Sequence, residues 1–374
     1  MSSPTEALQR ISRLAPLSEV FARLDAVVRP VPAKSLDPAS AVGATLAADV
    51  RGLAASPLRP TSMRDGWAVA ADQVVDAGPY APAPLSPPPP WVETGAPMPE
   101  ATDAVLPLDT VTFAKSGAEA HRAAAPGEGV LPAGADAEKD AVLRRAGERL
   151  RPIDVAAIRA AGVVSVSVRA PRIKIFSTAV PSRSSADTIS PLLARAIESE
   201  GGLAEVAQAA SLESVLLDRA CDALITIGGT GSGRRDASVK TLARIARVEI
   251  HGFGLLPGET AALGVADNRP VLMLAGRLDA ALATFLAVGR RLIARLAGRD
   301  EEDARVPARL TKKITSTIGL AEVVLVRRAL EGIQPLASGF FPASALTRAD
   351  GWILVPPESE GFAAGATVDM RPLP

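Results

Sequence analysis

The chain has 374 residues, 48% of them hydrophobic, with 41 Lys+Arg against 41 Asp+Glu and therefore no net charge. That length asks for two or three domains and that composition folds, while the balanced charge offers no field for nucleic acid or an anionic membrane. One Cys, Cys221, and two widely separated His, His121 and His251, exclude a disulfide framework and a thiolate or His-rich metal centre.

The first residues show no basic segment followed by an apolar one, and no uncharged apolar run of about 18 residues occurs, so a cytoplasmic protein without a membrane span is expected. Residues 18–28 predict a core-facing helix, with Ser18 as its N-cap and Val20, Phe21, Leu24, Val27 and Val28 on one stripe. From 33 to 152 the apolar runs are short and broken by Gly and Pro, which reads as a small β-rich domain. Its tract 78–91 suits a stiff surface loop, being neither helix nor central strand. From Pro171 strands and helices alternate. A strand at 171–178 precedes a helix with Ile189, Leu192, Leu193, Ala196 and Ile197 on one face and Gly201 as its stop. A helix at 211–221, a strand at 223–227, a Gly-rich loop, a helix at 236–246, strands near 248–255 and 270–275, and a helix at 279–297 follow. The alternation implies a doubly wound α/β sheet, whose ligands sit at the carboxyl ends of its strands. The last seventy or so residues return to short apolar runs with turns at Ser338-Gly339 and Asp350-Gly351, the pattern of a small β-domain or barrel.

The most informative segment is the buried strand that runs into Gly228, Gly229, Gly231 and Gly233 and then into a helix with Asp236 at its N-cap. Free N–H groups behind glycines make an anion cradle, because absent Cβ atoms let a phosphate approach. Gly228 and Gly233 bracket four residues as in a P-loop, but Arg234 and Arg235 replace the Lys-Ser/Thr pair, which excludes an NTPase. The plainer alternative is a tight turn that holds no ligand. Asp65 and Gly66, within 61–69, likewise read as a turn before an apolar run.

Taken together, the segments resemble the MoeA and gephyrin E-domain family, which inserts molybdate into molybdopterin. Ser62-Met63-Arg64-Asp65-Gly66-Trp67-Ala68 resembles the family's S-x-M-D-G-Y-A, and Thr94 to Glu100 followed by Asp103-Ala104-Val105 resembles T-G-A-P-x-P-E-G-x-D-A-V. Gly134-Ala135-Asp136, Leu150-Arg151-Pro152 with Ala161-Gly162-Val163, Phe176-Ser177-Thr178, Gly228-Gly229 to Asp236, Pro257-Gly258 and Ala349-Asp350-Gly351 continue the series in order. The resemblance implies a multidomain α/β protein: an elongated dimerisation domain from 1–45 plus 146–170, an inserted β-rich domain at 46–145, a doubly wound molybdopterin-binding domain at 171–300 and a C-terminal β-barrel at 301–374. It implies a homodimer whose cleft combines two subunits, with Asp65, Asp109 and Asp136 as catalytic acids. Gly229, Ser232, Gly233, Asp236 and Gly258 would lie on the pterin-phosphate side. Mg²⁺ at Asp65 and Asp236, molybdate, and a client molybdoenzyme are its further candidate ligands and partners.

The departures fall on anion-handling groups. Ala179-Val180-Pro181 stand where the family has G-D-E, Leu256-Pro257-Gly258-Glu259-Thr260 where it has K-P-G-K-P, and Ala275-Gly276-Arg277-Leu278 where it has P-G-N-P. Arg234, Arg235 and Arg277 are the expected replacements for the lost lysines, since a guanidinium holds a phosphate bidentately. The alternative is that they are solvated or paired with Glu259 and Asp279. Molybdopterin binding is therefore expected. Beside catalytic transferase activity stands the alternative of a non-catalytic partner that binds or delivers cofactor.

Overall fold

The computed structural model describes residues 9–115, 117–178, 187–300 and 305–374. Helix α1 (Leu17–Val27) buries Leu17, Val20 and Leu24 at helical spacing. It begins one residue earlier than the sequence predicts, with Pro16 rather than Ser18 at the N-cap. The Pro16 carbonyl accepts from the amides of Glu19 and Val20, so the turn closes without a hydroxyl cap.

Strands on either side of the long β-rich segment pair with each other: Val166–Arg169 lies between Lys34–Leu36 and Thr45–Leu46. The segment between is built of short antiparallel strands. Gly66–Val69 runs between Trp91–Val92 and Ala104–Leu106, and Gly117–Ala120 runs between Ala83–Leu85 and Val111–Ala114. The proline tract therefore contributes only edge strands, where a missing N–H breaks no ladder.

The α/β unit carries a six-stranded sheet. Its strands are β1 (Arg172–Ser177), β2 (Leu203–Val206), β3 (Ala223–Ile227), β4 (Arg247–His251), β5 (Ala262–Ala266) and β6 (Arg269–Leu274), in the spatial order β2-β1-β3-β6-β5-β4. The first four in that order are parallel, while β5 and β4 join antiparallel. Alternation along β3 sends Ala223, Ile225 and Ile227 into the core shared with α1, Leu193 and Ile197 of α2 (Ile189–Ser199), and the long helical stretch 278–296. Leu224 faces the other core, with α3 (Leu212–Leu217) and α4 (Ser238–Ile245). Helices on both faces make the sheet doubly wound, as the alternating pattern predicts. Two of its strands escape that pattern. β2 is a largely exposed edge, and β5 follows β4 with only the short strand Leu255–Leu256 between them.

The short strand Leu255–Leu256 leaves the α/β unit and pairs in parallel with Ala321–Ala329. That strand neighbours Gly332–Ser338 and Gly351–Val355; the last pairs with Thr367–Pro372, which pairs with Val306–Arg309. A bridge between Leu310 and Ile333 brings the far edge back to the near one. Val323, Leu325 and Trp352 join the large core of the α/β unit, so the last domain packs directly on it. No helix among the described residues is long and apolar enough to cross a membrane.

Candidate functional site

Three parallel strands deliver their carboxyl ends to one place. After β1, Thr178 bonds back to the Ile227 carbonyl through both its N–H (2.9 Å) and its hydroxyl (3.0 Å). Gly228 follows β3 at φ 91°, and a Cβ there would meet the Thr178 hydroxyl at 2.7 Å. Gly276 follows β6 and lies against the Gly228 backbone, where an added Cβ would sit 3.4 Å from its Cα. The contact of Thr230 Oγ1 with Thr260 Oγ1 at 3.1 Å joins the glycine loop to the turn at 257–260. Sequence reasoning finds this location because parallel strands end at the same edge of the sheet.

The inside of the loop differs from expectation. The N-cap of α4 is Ala237, and the Asp236 carboxylate turns into the loop instead, accepting from Gly233 N at 2.8 Å. A Cβ on Gly231 or Gly233 would come within 2.8–2.9 Å of that carboxylate, so these two glycines make room for Asp236. The free end of the helix is also closed. Ser238 N donates to Gly229 O and Thr241 N to Ala237 O, while Val239 N and Lys240 N both donate to the side-chain oxygen of Gln9 (3.1 and 3.3 Å). The Gln9 amide nitrogen in turn donates to the carbonyls of Gly229 (3.1 Å) and Gly231 (2.8 Å). Gln9 is 3% exposed and ties the loop to the helix as a four-bond clip. Nothing in the sequence marks it, since it precedes the first periodic segment and lies 220 or more residues from its partners. Amides at 230–232, 234 and 235 make no hydrogen bond among the described residues; residues 232–235 are exposed, whereas Thr230 is buried.

The candidate anion ligands separate into two groups. Arg234 and Arg235 are exposed beside Ser232, with no hydrogen bond or ion pair among the described residues. Arg277 is committed: Nε donates to Asp279 Oδ1 at 3.1 Å and Nη2 to Oδ2 at 2.5 Å. Burial alone would raise the Asp279 carboxyl, but bonds from Arg277 and the Ala280 amide hold it below the usual carboxylate range, and Asp279 in turn raises Arg277. Gly258 N donates to the side chain of Glu259 at 3.0 Å, and a Cβ on Gly258 would lie 2.5 Å from the Thr284 hydroxyl. That glycine serves close packing on the helical stretch 278–296, and its amide already has a carboxylate partner.

On the β-rich segment, Asp65 Oδ1 accepts from Thr94 N (2.7 Å) and Thr94 Oγ1 (2.9 Å), and these bonds hold its carboxyl below the usual range. Asp109 lies exposed in the single turn Leu108–Thr110, and Asp136 is exposed where its amide bonds to Ser56 O. Among the described residues no hydrogen bond or ion pair ties Asp65, Asp109 or Asp136 to the glycine loop of the same chain. Among the described residues no group of three or more His, Cys, Asp or Glu could hold a metal ion.

Comparison with known proteins accounts for this combination of parts. The MoeA N-terminal region family (domains I and II) matches residues 2–162, the family described as "Probable molybdopterin binding domain" matches 173–295, and the MoeA C-terminal region family (domain IV) matches 307–373. The chain belongs to the MoeA family. Molybdopterin molybdenumtransferase 1 of Mycobacterium tuberculosis is 27% identical over 313 residues, covering 75% of this chain and 72% of that protein. Molybdopterin molybdenumtransferase of Haemophilus influenzae is 24% identical over 307 residues, covering 75% and 76%. A crystal structure of a molybdopterin biosynthesis MoeA protein from Pyrococcus horikoshii shares the fold, with a TM-score of 0.76 at 23% identity over 97% of this chain and 100% of that one.

The motif resemblance set out from the sequence expects the glycine loop, Asp65, Thr94 and Asp136 at family positions and a lysine where the turn at 256–260 carries Glu259. The replacement of G-D-E by Ala179-Val180-Pro181 lies outside the described residues.

Proposed function

We propose that this MoeA-family chain acts in molybdenum cofactor biosynthesis by binding molybdopterin, with the phosphate of the pterin on the outer side of the 228–237 loop. One observation carries the reading: a loop with unpaired amides and two unpaired arginines, Arg234 and Arg235, stands where the parallel strands end. Asp65, Asp109 and Asp136 would face that loop from a second copy of the chain in a homodimer cleft. The pairing of Val166–Arg169 with Lys34–Leu36 and Thr45–Leu46 supports a split domain of 1–45 and 146–170 around an insertion at 46–145. The Leu310–Ile333 bridge supports a closed barrel for 301–374 after an α/β domain at 171–300. A cytoplasmic location and delivery to a client molybdoenzyme belong to the same reading.

Molybdate insertion into adenylylated molybdopterin is the finer activity that molybdenumtransferase relatives suggest. A non-catalytic role in binding or delivery is favoured by the state of the anion-handling groups: Arg277 is neutralised by Asp279, and the Gly258 amide is taken by Glu259. No step is assigned to a Mg²⁺ ion. Protein purified from a molybdenum-replete host should release a pterin that fluoresces after oxidation, and absence of pterin would reject the binding reading. Restoration of nitrate reductase in a MoeA-deficient strain would establish insertion, and failure with pterin bound would leave the non-catalytic role.

A further inference from the structure

We propose that an aromatic ledge on the β-rich segment, formed by Trp67, Trp91 and Phe113, binds the planar nitrogen heterocycle of the ligand, the pterin or an adenine. The inference rests on the reading above for the identity of that ligand, but its observations are independent. Trp67 and Trp91 face each other across paired strands with ring centroids 5.0 Å apart at 76°, and Phe113 lies 4.7 Å from Trp67 at 56°. Trp67 rests on the core of the segment as a half-buried floor. Trp91 and Phe113 remain 41% and 52% exposed. The chain has only twelve aromatic residues, and three of them gather at one exposed place. Single exposed apolar residues need no explanation, whereas a cluster of three aromatic rings, two of them exposed, offers surface on which a planar ring can stack.

Two carboxylates flank the ledge. Asp65 is two residues before Trp67, and Thr94 occupies one of its oxygens, Oδ1. Asp109 follows Leu108, whose carbonyl accepts the Trp67 indole N–H at 3.4 Å. Adenine and pterin both present an exocyclic amino group, which a carboxylate accepts, whereas the same acids repel a phosphate. The charge pattern thus sorts the two ends of one ligand: ring to the acidic aromatic ledge, phosphate to Arg234 and Arg235 on the glycine loop.

The test uses the full chain with adenosine monophosphate and, separately, a soluble pterin as probes, followed by calorimetry. For the nucleotide, tryptophan fluorescence is a second readout, because Trp352 is 2% exposed and a quench reports on Trp67 and Trp91. Saturable binding of either ring is expected, and whichever probe binds identifies the heterocycle. Trp91→Ala and Phe113→Ala, both at exposed positions that do not threaten folding, should each weaken it roughly tenfold, equivalent to about 1.4 kcal/mol. Ribose 5-phosphate, which lacks the ring, should bind through the phosphate end alone and leave the tryptophan fluorescence unquenched. Equal affinity in both variants, no saturable binding of either probe, or binding of choline in their place would overturn the ledge. Failure of the two readings is distinguishable. Co-purified pterin retained undiminished by both variants leaves molybdopterin binding standing without the ledge, and probe binding lost in the variants without any co-purified pterin leaves the ledge alone.

Discussion

Replacing Gln9 with Ala would remove the side-chain acceptor of Val239 N and Lys240 N and a donor to two loop carbonyls at a largely buried site. Each bond contributes about 1 kcal/mol net, and buried groups left unpaired cost about 1–3 kcal/mol, so Gln9→Ala should destabilise the loop and helix start by about 2–3 kcal/mol. Amide hydrogen exchange at Val239 and Lys240 should accelerate accordingly, and protection equal to that of the parent would show that the clip does not hold in solution. Arg277 leads to a contrasting expectation. Arg277→Ala leaves Asp279, 3% exposed, without its main partner, so thermal unfolding should show a loss of about 1–3 kcal/mol, while pterin affinity stays unchanged. The double change Arg234→Ala with Arg235→Ala should do the reverse: weaken pterin binding by about 1.5–3 kcal/mol with little effect on stability. A drop in affinity for Arg277→Ala larger than that of the double variant would return Arg277 to the site. From sequence, all three arginines were equivalent candidates, because spacing places them at turns on one edge but does not say which has a carboxylate two residues on within reach.

Helix α1 docks on the helical stretch 278–296 through apolar side chains and one ionic contact. Asp25 receives Arg291 (2.5 Å) and Arg295 (3.0 Å), and Arg291 lies 5.0 Å over the Phe21 ring. Burial pushes the Asp25 carboxyl up, but the two guanidinium hydrogen bonds outweigh it and hold it below its ordinary value. A depressed carboxylate contributes stability that is present above the unfolded value, near 3.9, and lost as pH falls through the folded one. Asp25→Asn should therefore cost about 1 kcal/mol at neutral pH, a modest figure because the pair is a third exposed, and the gap to the parent should narrow as pH falls from the unfolded value through the depressed folded one. A difference that does not narrow at all on acidification would mean that packing rather than charge is at stake. At this scale the sequence is most legible where burial is one-sided or complete: α1, α2, β1, β3 and β6 all carry their period or their unbroken apolar run. It is least legible at β2, whose exposed Leu203-Ala204-Glu205-Val206 is a strand only because β1 offers it an edge. The Gln9 clip was illegible for the same reason, being a tertiary contact with no local signal, while glycines at 231 and 233 read as space for a ligand when they also make space for Asp236.

At the scale of the molecule the two halves of the proposed site sit on different units: the arginine-bearing loop on the α/β sheet, and Asp65, Asp109 and Asp136 on the β-rich segment, with no bond between them inside one chain. In the reading proposed above the site draws one half from each of two chains, and the protein should then be a dimer at micromolar concentration by light scattering. A mixing experiment then separates composite from single-chain sites. Asp65→Asn chains and chains with Arg234→Ala and Arg235→Ala should each bind pterin poorly as pure homodimers, since every site carries a lesion. In a mixed dimer, a site composed across two chains concentrates both lesions in one cleft and leaves the other with neither. Co-expressed and differently tagged chains should thus recover about one full-affinity site per mixed dimer in a calorimetric titration. A site contained in a single chain gives no recovery, because each chain keeps its own defect whatever its neighbour. Titration of the mixed dimer with affinity no better than the weaker homodimers would sink the two-chain cleft, and with it the assignment of Asp65 to the same ligand as Arg234 and Arg235.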